Sequence, residues 1–180
     1  MSTVRPRGPI VIDTDVFSAD LVPGSRLAER YAPLITGRLA FISFQTAAEI
    51  RYGAIRRGWG QPRMLRMEAK LERVEVVRSG PELVVVYAQR RADCVAAGHA
   101  VSQKQHTADR WSAATAIRLG IPLVSNAGIF RGTPGVELET SHRADYSSDI
   151  ACTRLVPAAA SVAVAVPVRA NKKVPLCRTF

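Results

Sequence analysis

The sequence predicts a parallel, doubly wound α/β fold, and two observations predict it. Its strand-like segments are short and wholly apolar, as in Pro9-Ile10-Val11-Ile12, Leu39-Ala40-Phe41-Ile42 and Pro122-Leu123-Val124. Strands covered by helices on both faces lose their polar alternation and read this way. These segments also alternate with stretches of helical periodicity, which is the pattern of parallel strands joined by crossover helices.

The elements follow in order. Pro9 to Ile12 is the first strand and ends in Asp13-Thr14-Asp15. A helix-like stretch runs from there to about Val22, and Pro23-Gly24-Ser25 breaks it. Arg26 to Leu34 resumes a helical pattern, and Leu39 to Ser43 is the second strand. Thr46-Ala-Ala-Glu49 opens the next helix, with Ile50, Ala54 and Ile55 on its apolar face and Gly58 and Gly60 at its end. Arg63 to Leu71 is an Arg- and Met-rich helix, and Val74 to Val77 a short third strand. Pro81 starts a long helix to about Ala97, with Gly98 as its stop. Ala108 to Leu119 is closed by Gly120, Pro122 to Ser125 is a strand, and Val136 to Thr140 alternates as a last edge strand.

A length of 180 residues suits one domain with a real core and is short for two large ones. The character changes after Thr140. Residues 141–180 are Ala/Val-rich and then basic, without a clear period, and read as a disordered or loosely attached tail. The net charge is +10. Residues 1–140 carry 19 basic and 13 acidic side chains, and residues 141–180 carry 6 and 2, so both parts are basic. A basic surface suits a polyanion such as nucleic acid, although a solvated face would look the same.

Several classes have no support. Cys94, Cys152 and Cys177 are widely spaced and odd in number, which argues against a structural zinc site or a disulfide framework and fits a reducing cytoplasm. No apolar signal segment opens the chain, and the Val156–Val168 run is too short to cross a bilayer and carries Pro157 and Pro167. No glycine-rich phosphate loop is present. His99, His106 and His142 lack metal spacing, and Asp93 beside Arg90 and Arg91 reads as a salt-bridged helix face.

The chemistry lies in the acids. Asp13 ends the first strand, Glu49 falls in the first turn of the helix after strand two, and Asp109 falls in the first turn of the helix before Pro122. Sites in open α/β sheets form outside the carboxyl ends of the strands, where helix N-termini converge, so these three acids meet at one edge. Carboxylates held together repel unless a cation offsets them, and oxygen donors with open positions suit Mg²⁺ or Mn²⁺. Asp15 is an auxiliary candidate ligand. Each acid also has an ordinary structural role: Thr46 and Glu49 have capping-box spacing, Asp109 suits the helix dipole, and Asp13 could cap a helix. The clustered Arg56, Arg57, Arg63 and Arg66 are candidate phosphate contacts or a solvated face.

These motifs resemble a known family. Val11-Ile-Asp13-Thr-Asp15-Val resembles the opening strand of PIN domains, Phe41 to Gly53 their second block, and Thr107-Ala-Asp109-Arg-Trp-Ser-Ala-Ala-Thr-Ala116 their third. Gly120-Ile-Pro-Leu-Val-Ser125 resembles their final strand, and the resemblance spans about residues 10–140. It is nearest to VapC toxins of bacterial toxin–antitoxin pairs, particularly those of mycobacterial type. The resemblance implies a three-layer α/β/α sandwich and a Mg²⁺- or Mn²⁺-dependent endoribonuclease acting on tRNA or rRNA. It also implies an inhibitory VapB-type antitoxin, a homodimer, and Asp13, Glu49 and Asp109 as the catalytic, metal-binding acids. Two departures stand out. Ala127 occupies the place of an Asp or Asn three residues before Phe130, with Asn126 next to it as a substitute donor, and the tail from Ser141 has no counterpart in the family. Ser112, where Ile is usual, is a milder change. Asp13-Thr-Asp15 and Leu-Val-Ser-Asn126 also resemble haloacid-dehalogenase-type phosphatases, but the further Lys and paired-Asp motif is missing.

Overall fold

The computed structural model describes residues 8–141. Expectations for the 142–180 part of the tail, with His142, Cys152, Cys177 and the Val156–Val168 run, lie outside the described residues.

Among the described residues five strands form one sheet: β1 (Ile10–Ile12), β2 (Ala40–Ser43), β3 (Glu75–Val77), β4 (Leu123–Val124) and β5 (Leu138–Glu139). Their order is β3-β2-β1-β4-β5, and every pairing is parallel. The six α-helices among the described residues are α1 (Thr14–Ala19), α2 (Arg26–Ile35), α3 (Phe44–Arg56), α4 (Gln61–Leu71), α5 (Pro81–Ala96) and α6 (Thr107–Leu119). The chain builds outward from β1 to β3 on one side, then returns to the other side of β1 for β4 and β5. The switch point therefore lies between β1 and β4, where clefts open at the carboxyl ends of strands.

Alternation along β1 explains the layers. Ile10 and Ile12 point into a core with Val16, Phe17, Tyr31, Ile42, Ile50 and Met67, while Val11 joins Ala113, Ala116, Leu123 and Phe130 on the opposite face. Both faces are thus covered, which is why β1 is buried at all three positions.

The structure corrects some local boundaries. Helix α1 stops at Ala19 instead of continuing to Val22. Helix α3 begins at Phe44, because the Ser43 hydroxyl accepts the Thr46 N–H at 3.0 Å and so acts as the cap. Thr46 is therefore inside the helix, the Thr46–Glu49 capping box is not formed, and Glu49 moves to the second turn. Helix α3 ends in a Schellman motif. Gly58 takes φ +59°, its N–H donates to Ile55 O at 3.0 Å, and the Trp59 N–H donates to Ala54 O at 3.1 Å. Asp93 pairs with Arg90 at 2.7 Å, as its neighbours suggested. Among the described residues Cys94 is a buried free thiol, and no helix is long and apolar enough to cross a membrane.

Tyr31 joins α2 to the segment after β4. Its ring is fully buried, and its hydroxyl donates to Ser125 O at 3.1 Å and lies 3.0 Å from Thr140 Oγ1. Tyr31→Phe should lower unfolding stability by about 1–2 kcal/mol at unchanged helix content, read by urea denaturation.

Candidate active site

Asp13 follows β1 directly, and its N–H donates to Val124 O at 3.0 Å, which extends the β1–β4 ladder by one residue. It occupies the N-cap position of α1, yet its side chain makes no capping bond. The carboxylate is only 4% exposed and instead accepts from Ser125 Oγ at 3.0 Å. Burial is the main reason its pKa rises to about 7, with the charge of Asp15 second and that of Asp109 adding less. Hydrogen bonds from the Ser112 hydroxyl and the Thr14 N–H work the other way. Ser112 is buried on α6, with its hydroxyl 3.5 Å from Thr46 Oγ1.

Asp15 is held by backbone. Oδ1 accepts the Val16 N–H at 2.6 Å and Oδ2 accepts the Asn126 N–H at 3.0 Å. Burial still raises its pKa, against these two amides and the Ser125 hydroxyl. With an amide on each oxygen, Asp15 clamps the 125–127 segment onto the start of α1. Asn126 joins the acids through its main chain, while its side-chain Oδ1 lies 3.4 Å from the Tyr31 hydroxyl. Ala127 offers no oxygen on its side chain.

Glu49 reaches the edge through hydroxyls. Thr14 Oγ1 donates to Glu49 Oε2 at 2.8 Å and lies 3.2 Å from Thr46 Oγ1, which is 3.0 Å from Ser43 Oγ. A hydroxyl carries one hydrogen, so Thr14, placed to donate to either Glu49 or Thr46, serves one of them at a time, and Glu49 is the nearer acceptor. Asp109 is half-buried in the first turn of α6, and His106 Nδ1 lies 2.7 Å from its Oδ2. The loop carrying His106 is fixed by Arg110, a buried cation that donates to Val101 O at 2.5 Å, Gln103 O at 2.6 Å and Thr107 Oγ1 at 2.9 Å.

The structure therefore places Asp13, Asp15 and Asp109 within electrostatic reach of one another, and ties Glu49 to the same edge through Thr14, the residue between the first two acids. Among the described residues none of Asp13, Asp15 and Glu49 forms an ion pair with Lys, Arg or His. No three Asp, Glu, His or Cys side chains among them are gathered closely enough to hold a metal as they stand. Hydroxyls hold Asp13 and Glu49, backbone amides hold Asp15, and His106 holds Asp109. Asp15 and Glu49 line a cavity of about 570 Å³ that Arg56, Arg57, Trp59 and Arg63 also line.

Residues 10–135 match the family model described as "PIN domain". The chain belongs to the PIN domain family. No curated protein sequence is significantly similar to it. Solved structures share the fold of this PIN domain at low identity. A DNA-bound VapBC from Salmonella typhimurium has a TM-score of 0.60 and 22% identity, covering 75% of this chain and 99% of that one. VapBC-5 of Mycobacterium tuberculosis, from the VapBC family of toxin–antitoxin systems, has a TM-score of 0.52 and 23% identity, covering 75% and 98%. VapC20 of the same organism, a Sarcin-Ricin loop cleaving toxin, has a TM-score of 0.52 and 18% identity, covering 71% and 98%. The three-layer architecture expected from the motifs is the one observed, and the phosphatase resemblance of Asp13-Thr14-Asp15 gives way to a PIN match that spans both of its segments.

Sequence reasoning missed the parts that hold the acids: Thr14, His106, Arg110 and Ser125. A serine or threonine near an acid in sequence carries no signal that its hydroxyl reaches across strands. Only Ser112 was visible, as a departure.

Asp13 has a pH consequence. Its folded pKa of about 7 exceeds an unfolded value near 4, so the folded state binds the extra proton between those values. The Asp13 contribution is therefore most favourable below about pH 4, falls as pH rises to 7, and is flat above, losing on the order of 1 kcal/mol per pH unit in that window. Asp13→Asn should cancel this slope and be more stable than the parent at pH 8. Denaturant midpoints of both chains from pH 4 to 8 measure the difference, and parallel curves would contradict it.

Proposed function

We propose that this PIN domain is a metal-dependent endoribonuclease toxin of a toxin–antitoxin pair, cutting RNA phosphodiesters with tRNA or rRNA as substrates. The observation that supports it best is Asp13: a nearly buried carboxylate, crowded by Asp15 and Asp109, with no ion-pairing cation among the described residues to offset it. Such a donor set of hard oxygens fits Mg²⁺ or Mn²⁺. Asp13, Glu49 and Asp109 would hold the ion, with Asn126 an auxiliary donor if its side chain turns from Tyr31. Asp15 was an auxiliary candidate too, but its two backbone amides favour a clamping role. A bound divalent ion would supply charge to acidify a water and to offset the negative charge that builds on the phosphodiester.

The protein's own residues set up the rest. Ser125 and Ser112 orient Asp13, Thr14 orients Glu49, and His106 orients Asp109 while Arg110 holds its loop. Arg56, Arg57 and Arg63 line the same cavity as Glu49 and would bind the phosphates that flank the cleaved bond. Arg66 extends the same basic surface. By analogy with the VapBC assemblies of the same fold, a VapB-type antitoxin would cover this edge and the toxin would pair as a homodimer.

Ala127 favours a second reading: a catalytically weakened module that binds RNA or antitoxin through the same surface. One assay separates the two. Purified chain, Asp109→Asn and Ala127→Asp are incubated with total tRNA and rRNA, with Mg²⁺, Mn²⁺ or EDTA. The proposal expects cutting by the parent that EDTA abolishes and Asp109→Asn reduces at least 100-fold. Cutting that survives EDTA and Asp109→Asn would sink it, and cutting by Ala127→Asp alone would select the module.

A further inference from the structure

The basic wall of the cleft contains an arrangement that phosphate binding leaves unexplained. Arg63 Cζ stands 3.7 Å above the Trp59 ring centroid. The sequence forces this meeting. Gly58 closes α3 in its Schellman turn and delivers Trp59 onto the core beside Met64 and Met67. Gly60 and Pro62 then start α4 at once, so Arg63 lands one turn beyond the indole. Both side chains are half-buried. Arg63 keeps part of its surface exposed to the cavities it lines.

Its position matters. Leu21, Trp59 and Arg63 line the cavity that holds Asp15 and Glu49, and they also line a second cavity of about 550 Å³. The second cavity contains Arg66, Arg73 and Lys70, of which Lys70 is paired with Asp20. Among the described residues Arg56, Arg57, Arg66 and Arg73 form no ion pair. The Trp59–Arg63 stack is thus the shared wall between two cation-lined hollows, one of which reaches the acids.

We propose that the Trp59–Arg63 stack is a base-stacking subsite for one unpaired nucleotide next to the cleaved phosphodiester. It rests on the ribonuclease reading. The RNA backbone passes from the acid cavity to the Arg66–Arg73 cavity, and the base between them lies on the guanidinium plane, extending the indole–guanidinium stack. Unstacked bases are taken up on aromatic and guanidinium faces in this way, whereas paired bases have no free face to offer. The subsite selects single-stranded segments such as loops and is indifferent to base identity.

The test uses the full chain carrying Asp109→Asn, so that RNA is bound and not cut. Fluorescein-labelled single-stranded RNA hexamer is titrated and followed by anisotropy, beside the same hexamer with abasic residues throughout and a glutamate decamer as competitor. Arg63→Lys keeps the charge and loses the plane; Trp59→Tyr keeps a ring and Trp59→Leu removes it. Arg63→Lys and Trp59→Leu should weaken the base-bearing hexamer roughly tenfold, Trp59→Tyr should recover most of the loss, and the abasic hexamer should be unaffected. Thermal unfolding confirms that each variant is folded, and Arg63→Lys carries the test alone if Trp59→Leu is not. Equal loss for both hexamers would reduce the wall to charge and overturn the subsite, as would no loss for either. So would competition by the glutamate decamer that is as strong as that by the RNA, since it would mark the wall as an acidic-peptide site. In those cases metal-dependent cutting by the parent chain still upholds the ribonuclease reading; RNA that is neither bound nor cut removes both.

Discussion

Asp13 is a carboxylate placed where water hardly reaches it, at the carboxyl end of the strand on which the whole sheet is centred. Burying such a group is unfavourable unless it is neutralised or hydrogen-bonded, and here it is hydrogen-bonded first. Ser125 from the segment after β4 donates to it, so the central strand and its neighbour are tied by one acid, and the Ser112 hydroxyl on α6 lowers its pKa. The remaining electrostatic strain shows as a carboxyl pKa near neutrality. A fold that kept this group only for packing would do better with an apolar residue of the same size. Perturbed carboxylates of this kind mark sites where charge is managed for chemistry.

The rest of the edge is arranged around that charge without touching it. Glu49 accepts from Thr14, whose hydroxyl also lies against Thr46 and, through it, Ser43. Asp109 leans on His106, and His106 sits on a loop that Arg110 pulls inward. Asp15 spends both oxygens on backbone amides. Each acid is therefore oriented by a partner of its own.

Much of the fold was legible in the residues. Ile10-Val11-Ile12 has no polar position, and the structure covers it on both faces; Gly120 was read as a helix stop and takes φ +64° there. Boundaries slipped where two polar residues competed for one job. Ser43 and Thr46 both suit an N-cap, and only the β2 geometry, which leaves Ser43 extended at φ −72° and ψ 153°, decides for Ser43. That choice moved Glu49 a full turn into α3. The tail was read from composition, and its 142–180 part lies beyond the described residues.

The sequence by itself determined the alternation of strand and helix, the parallel sheet and the three acids, because apolar periodicity and turn residues act over a few neighbours. It determined the absence of a side-chain oxygen at Ala127 as well. Only the tertiary structure decided which side chains serve those acids. Ser125 meets Asp13 across 112 residues and Thr14 meets Glu49 across 35, contacts set by strand order and helix packing rather than by local pattern. The Trp59–Arg63 stack lies between these limits. Its residues are near in sequence, yet the glycine turn that joins them and the two cavities it divides exist only once α3 and α4 have packed on the sheet.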